Sequence, residues 1–115
     1  MAPGPHVAVV GSINMDLSIL TPRVPLRGEN LRAHCLRVWL GGKGSDSAVA
    51  LARLGAQASL VACVGQDDFG RQALALLQSE HVNIDGVQAL PDAATGVALI
   101  MVDDAGENTI LVMIG

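Results

Sequence analysis

A chain of 115 residues carrying a net charge of -4 is one domain's worth, or part of a larger one. Half of it is hydrophobic, but Trp39 and Phe69 are its only aromatic residues, so the core must be built from Ala, Val, Leu and Ile, as in α/β proteins with buried parallel strands. The acidic balance, with no basic patch among interleaved aromatics, argues against a nucleic-acid or anionic-membrane partner, and no apolar stretch approaches the ~20 residues of a membrane span.

The start, Met1-Ala2-Pro3-Gly4-Pro5-His6, lacks a basic segment followed by an apolar one, so no signal peptide is read. Val7-Ala8-Val9-Val10-Gly11 is a continuous apolar run and reads as a buried first strand. Ser12-Ile13-Asn14-Met15-Asp16 then places polar groups at that strand's carboxyl end, where open α/β sheets bind ligands; as plain turn residues they would need no ligand at all. Leu17 to Leu20 continues as a strand. Two prolines and Gly28 make the next stretch a connection. From Asn30 to Leu40, Leu31, Ala33, Cys35, Leu36, Val38 and Leu40 alternate loosely with polar residues, as a strand with one wet face would.

Gly41-Gly42-Lys43-Gly44-Ser45-Asp46-Ser47 opens onto a helix over 44–54, with Ala48, Leu51, Ala52 and Leu54 as its apolar stripe and Gly55 as terminator. Ala58 to Val64 is a second buried strand. Asp67-Asp68 caps a second helix running to about His81, with Phe69, Ala73, Leu76 and Leu77 on one face. A short strand lies within 82–90. Gly96–Val102 and Thr109–Ile114 form a hairpin around Asp103-Asp104-Ala105-Gly106. Alternating strands and helices imply a parallel sheet with helices packed on it; the wet strands and the hairpin belong to a separate small sheet.

The glycine loop invites an anion or ligand oxygens, because glycines allow close approach and a helix start has unpaired N–H groups. It is not a Walker A loop, since Gly44 follows Lys43 and position 37 is arginine, and the dinucleotide spacing fails too. Capping accounts for Asp67-Asp68 and Asp46 without catalysis, and Asp103-Asp104 reads as a turn. His6, His34 and His81 have no metal spacing. Trp39 and Phe69 read as core residues. Cys35 and Cys63 read as buried thiols in a reducing compartment, so the expected location is the cytoplasm, with the nucleus open. No catalytic base and no metal ligand is assigned in this chain.

Several blocks together resemble the N-terminal part of the ribokinase-like sugar and nucleoside kinase family: Val9-Val10-Gly11-Ser12-Ile13-Asn14-Met15-Asp16, Pro25 with Gly28-Glu29, the run from Gly41 to Gly65, Gly65-Gln66-Asp67-Asp68-Phe69-Gly70, Thr95-Gly96-Val97-Ala98 and Gly106-Glu107-Asn108. The resemblance implies an incomplete three-layer αβα, Rossmann-like domain over 1–115, with lid strands at about 17–40 and 96–114 forming a small β-sheet. It implies ATP-dependent phosphorylation of D-ribose or a similar pentose at the O5 hydroxyl in the complete enzyme, with Mg²⁺ and K⁺, and dimerisation through the lids. The substrate-binding residues it implies are Asn14, Met15, Asp16, Gly42, Lys43, Gly44, Ser45 and Asp46. The family usually has asparagine where this chain has Asp46. The chain matches roughly the first third of such a kinase. The family's Gly-Ala-Gly-Asp motif, ATP pocket and monovalent-cation site have no counterpart in it, so no cofactor is expected to bind this chain alone. The alternative reading is a truncated, non-catalytic form that at most binds sugar or pairs with an intact subunit through its lid.

Overall fold

The structure, a computed structural model, describes residues 4–115. In chain order the elements are β1 (His6–Val10), β2 (Asn14–Leu20), β3 (Cys35–Gly41), α1 (Lys43–Arg53), β4 (Gln57–Gly65), α2 (Asp68–Ser79), β5 (Val87–Leu90), β6 (Gly96–Val102) and β7 (Asn108–Met113). They build two sheets: a parallel sheet in the order β1-β4-β5, and a mixed sheet in the order β3-β2-β6-β7.

The parallel sheet and both helices form the core. β1 and β4 pair from His6 with Gln57 to Val10 with Val61. Along β4, Ala58, Leu60 and Val64 are buried while Val61 and Cys63 are exposed, so one face is covered and the other is not. Ala48 of α1 and Ala73 and Leu77 of α2 join Leu60 and Val64 in one cluster, and Arg53 of α1 pairs with Glu80 just past α2. Both helices therefore lie on the same face. Right-handed crossovers from β1 to β4 and on to β5, all in one direction, require this. These residues thus form two layers of an αβα arrangement.

Helix boundaries follow local chemistry. α1 ends where Gly55 takes φ 97°, a left-handed conformation that favours glycine. α2 begins at Asp67, whose side chain accepts the Gly70 N–H. It ends without a glycine; His81 takes the left-handed conformation instead, at φ 64°. The β6–β7 hairpin closes through Asp103, whose carboxylate accepts the N–H groups of Ala105 and Glu107.

Several expectations need correction. β2 starts at Asn14, so Asn14 and Asp16 lie in the second sheet and not in a turn after β1. β3 begins only at Cys35, leaving 30–34 outside any strand. Both cysteines are exposed, Cys35 on an edge strand and Cys63 on the open face of β4. Trp39 is 55% exposed, because β3 is an edge strand that little covers. Leu54 and Leu76 sit outside their helices' buried stripes. Among the described residues, no helix is long and apolar enough to cross a membrane.

Candidate functional site

The mixed sheet meets the N-terminus of α1. Strand β2 alternates: Met15 is fully buried in the core cluster, while Asn14 and Asp16 face the other way and are only partly covered. In register, Asn14 lies between Gly41 of β3 and Gly96 of β6, and Asp16 lies between Trp39 and Ala98. The two glycines matter because they lack side chains. A Cβ on Gly41 would run into the Asp16 carboxylate, and one on Gly96 would run into the Asn14 Oδ1. Both polar groups therefore rest directly on backbone.

The glycine loop closes the wall. Gly42 has φ 92°, and a Cβ there would come within 2.6 Å of the Ser12 carbonyl oxygen and 3.0 Å of the Asn14 nitrogen. A Cβ on Gly44 would meet the Gly11 carbonyl carbon at 2.7 Å. The start of α1 can thus lie flush against the 11–14 segment, and the Ser45 N–H donates to the Ser12 carbonyl at 3.2 Å.

The two helix starts differ in a way that bears on ligand binding. Asp67 caps α2 with its own carboxylate. α1 has Gly42 at the cap position and no side-chain cap. Its amides at Ser45 and Asp46 are taken by Ser12 and Gly42 carbonyls. The amides of Lys43 and Gly44, earlier in the same turn, have no hydrogen-bond partner among the described residues. The helix dipole adds partial positive charge there, and Lys43 stands exposed in that turn.

Asp46 is exposed on the first turn, near enough to Asp16 to act on it. Burial is the main reason that Asp16 holds its proton more tightly than an ordinary aspartate, and the negative charge of Asp46 adds to it. Asp46 also lines one end of an apolar groove of about 730 Å³ that runs along α1 past Val49 and Arg53.

Of the residues singled out from the sequence, Asn14, Asp16, Gly42, Lys43, Gly44 and Asp46 converge here. Met15 points into the core. Ser45 is fully buried, with its Oγ unpartnered. Gly41 and Gly96 are additions: they touch the polar groups through their missing side chains. Cross-strand register would have identified them, but pairing between β2 and β6 spans too much sequence to be read locally.

This site offers an amide, carboxylates and free backbone donors, a set suited to a ligand rich in hydroxyl groups. The two-sheet fold is that of an α/β protein with a small β-sheet lid. The family model for pfkB family carbohydrate kinases matches residues 5–114, and the chain belongs to that family. It is 41% identical over 109 residues to the ribokinase of Mus musculus, covering 95% of this chain and 34% of that protein. It is 40% identical to the ribokinase of Schizosaccharomyces pombe, covering 96% of this chain and 36% of that one. Among solved structures, Arabidopsis thaliana ribokinase complexed with ribose and ATP superposes with a TM-score of 0.88 at 30% identity, over 97% of this chain and 36% of the other. The chain therefore spans about a third of the length of these relatives.

Proposed function

We propose that this chain forms the sugar-binding wall of a ribokinase-type carbohydrate kinase, and that its ligand is D-ribose or a similar pentose. The observation that carries the reading is the convergence of the Asn14 carboxamide and the Asp16 carboxylate, seated on Gly41 and Gly96, with the uncapped start of α1. A carboxylate accepts two hydroxyl hydrogens at once, a carboxamide both accepts and donates, and the Lys43 and Gly44 amides donate to ring or hydroxyl oxygens. The two carboxylates accept from hydroxyl groups and repel an anion, which favours a sugar over a phosphate. The relative whose structure contains ribose supports the choice of ligand.

The complete reaction would transfer the ATP γ-phosphoryl to the sugar's O5 hydroxyl. Mg²⁺ and K⁺ belong to that proposal for the longer protein, as does the ATP. No residue of this chain is assigned to them, because the glycine loop lacks phosphate-loop spacing and Gly42 and Gly44 pack against residues 11–14. Titration calorimetry with D-ribose tests the binding claim; no heat at millimolar sugar, with the chain folded, would overturn it. A coupled assay is expected to show no ribose-dependent ATP consumption by this chain alone.

A second reading, a non-catalytic form that pairs with an intact subunit, is favoured by the lid's exposed edges. β7 is exposed throughout, with Ile110, Leu111, Val112 and Met113 all about half accessible, and Leu36, Val38 and Trp39 are exposed on β3. Unpaired apolar edges accept another strand readily. Co-elution with a full-length ribokinase in size exclusion would support it.

A further inference from the structure

Asp67 reads as a helix cap, and it is one, but capping uses only part of its bonding. Its Oδ1 accepts the Gly70 N–H at 2.8 Å, and also the Thr95 hydroxyl at 2.6 Å. Its Oδ2 accepts the Thr95 N–H at 2.9 Å. The Thr95 Oγ1 in turn accepts the Gly65 N–H at 3.0 Å. Three of these four bonds lead to Thr95, which is only 5% exposed. Its hydrogen bonds, the hydroxyl first, hold the Asp67 carboxyl below the ordinary aspartate range. The knot has no slack: a Cβ on Gly65 would lie 2.8 Å from both Asp67 Oδ2 and Thr95 N, and one on Gly70 would lie 2.9 Å from Thr95 Oγ1.

What the knot holds is the root of β6. The next residue, Gly96, opens that strand, stands opposite Asn14, and carries the Asn14 carboxamide oxygen directly on its Cα. The bonded path is thus Asp67 to Thr95, Thr95 to Gly96 through the chain, and Gly96 to Asn14 by contact. We infer that Asp67 and Thr95 are positioning residues for ligand binding: they fix Gly96 against the core and so set where the Asn14 carboxamide points. The inference rests on the sugar-binding reading for its consequence, but its geometry can be tested without sugar.

The variants are Thr95→Val, which keeps the shape and removes the hydroxyl, Thr95→Ser, which restores the hydroxyl, and Asp67→Asn, all in the full chain. Two measurements are made at a temperature where circular dichroism shows each variant folded. The first is the ¹⁵N signals of the Asn14 side-chain amide and the Gly96 backbone amide without ligand, with Val9 and Leu60 amides as core references. The second is D-ribose affinity by calorimetry. In Thr95→Val and Asp67→Asn the Asn14 and Gly96 signals move while the core references stay, and affinity falls about tenfold or more, as expected when a charge-assisted hydrogen bond no longer orients the site. Thr95→Ser keeps the parent's signals and affinity. Unmoved Asn14 and Gly96 signals in Thr95→Val overturn the inference, as does an equal loss in Thr95→Ser. If Asp67→Asn does not fold, the Thr95 pair decides. If the parent binds no ribose, the sugar reading fails while the amide signals still decide the positioning role.

Discussion

Replacing Asp46 by asparagine removes one of two negative charges beside the proposed sugar position. Asp46 already acts on Asp16, adding to the burial that raises the Asp16 carboxyl's proton affinity. Asp16 is partly buried and Asp46 exposed, so their interaction lies nearer the aqueous limit than the interior one. Two charges about 4 Å apart repel by about 1 kcal/mol in water and about 4 kcal/mol at the effective dielectric of a protein surface. A sugar bound as proposed would displace water from beside them and move the pair toward the second figure. Removing the repulsion, and gaining an amide that can donate, should therefore favour binding by about 1–2 kcal/mol, or roughly 5- to 30-fold in Kd. Calorimetric titration of D-ribose into the parent and Asp46→Asn at pH 7 measures it. A pH series adds a second check. As pH falls through the raised Asp16 pKa, Asp16 takes up a proton, the repulsion disappears in the parent too, and the gap between the two proteins narrows to the contribution of the amide donor. Equal affinities at pH 7, or a gap that widens in acid, would refute the argument.

Gly41→Ala and Gly44→Ala should separate function from folding. The first drives a Cβ into the movable Asp16 carboxylate and should cost binding more than stability, whereas the second meets backbone at Gly11 and Ser12 and should cost about 2–4 kcal/mol in urea unfolding. Leu60→Ala, at a fully buried site in the cluster shared by both helices, should cost about 2–5 kcal/mol, against less than about 1 kcal/mol for Val61→Ala on the open face of the same strand. Glu29 is held at about 2 by the Arg23 guanidinium and the Leu26 N–H, so its stabilising effect is complete above its usual 4.5 and fades as pH drops toward 2. Glu29→Gln should flatten that part of the acid limb in urea midpoints taken at successive pH values. Asp16 works in the opposite sense: its raised pKa makes the folded state more favourable as it protonates.

The parts of the fold that were legible are those whose causes are local. β4 is an apolar run bounded by glycines, α2 carries its cap at Asp67, and α1 stops at Gly55. The β6–β7 hairpin is set by a turn that Asp103 ties with its own carboxylate. What escaped depends on partners far along the chain. Asn14 and Asp16 look like turn residues after β1, because nothing near them announces that β2 will pair in parallel with β6. Trp39 looks like core, because apolar alternation cannot say that its strand lies on an edge. Asp67's bonds to Thr95 cross 28 residues, so the visible signal was the local one, the cap. The site was half legible for the same reason: the loop that starts α1 announces itself by composition, whereas the glycines supporting Asn14 and Asp16 are defined only by register.

The two helix starts also differ in a way that favours the proposed ligand wall at α1 over one at α2. The two central lid strands, β2 and β6, both leave the core beside a helix N-terminus. Ser12, two residues before β2, is held by the Ser45 amide of α1; Thr95, one residue before β6, is held by the Asp67 cap of α2. Each grip uses donors or acceptors of a helix's first turn, so each lid root is tied to the layer that buries the core cluster. At α2 the capping carboxylate accepts the Gly70 amide, and its negative charge offsets the dipole and repels a ligand oxygen. At α1 a glycine stands in the cap position, so no carboxylate offsets the positive end of the dipole beside the segment that carries Asn14 and Asp16. A side-chain cap introduced by Gly42→Ser would, on this reasoning, compete with the ligand for the amides of the first turn, and the Ser12 carbonyl 2.6 Å from the new Cβ would resist it as well.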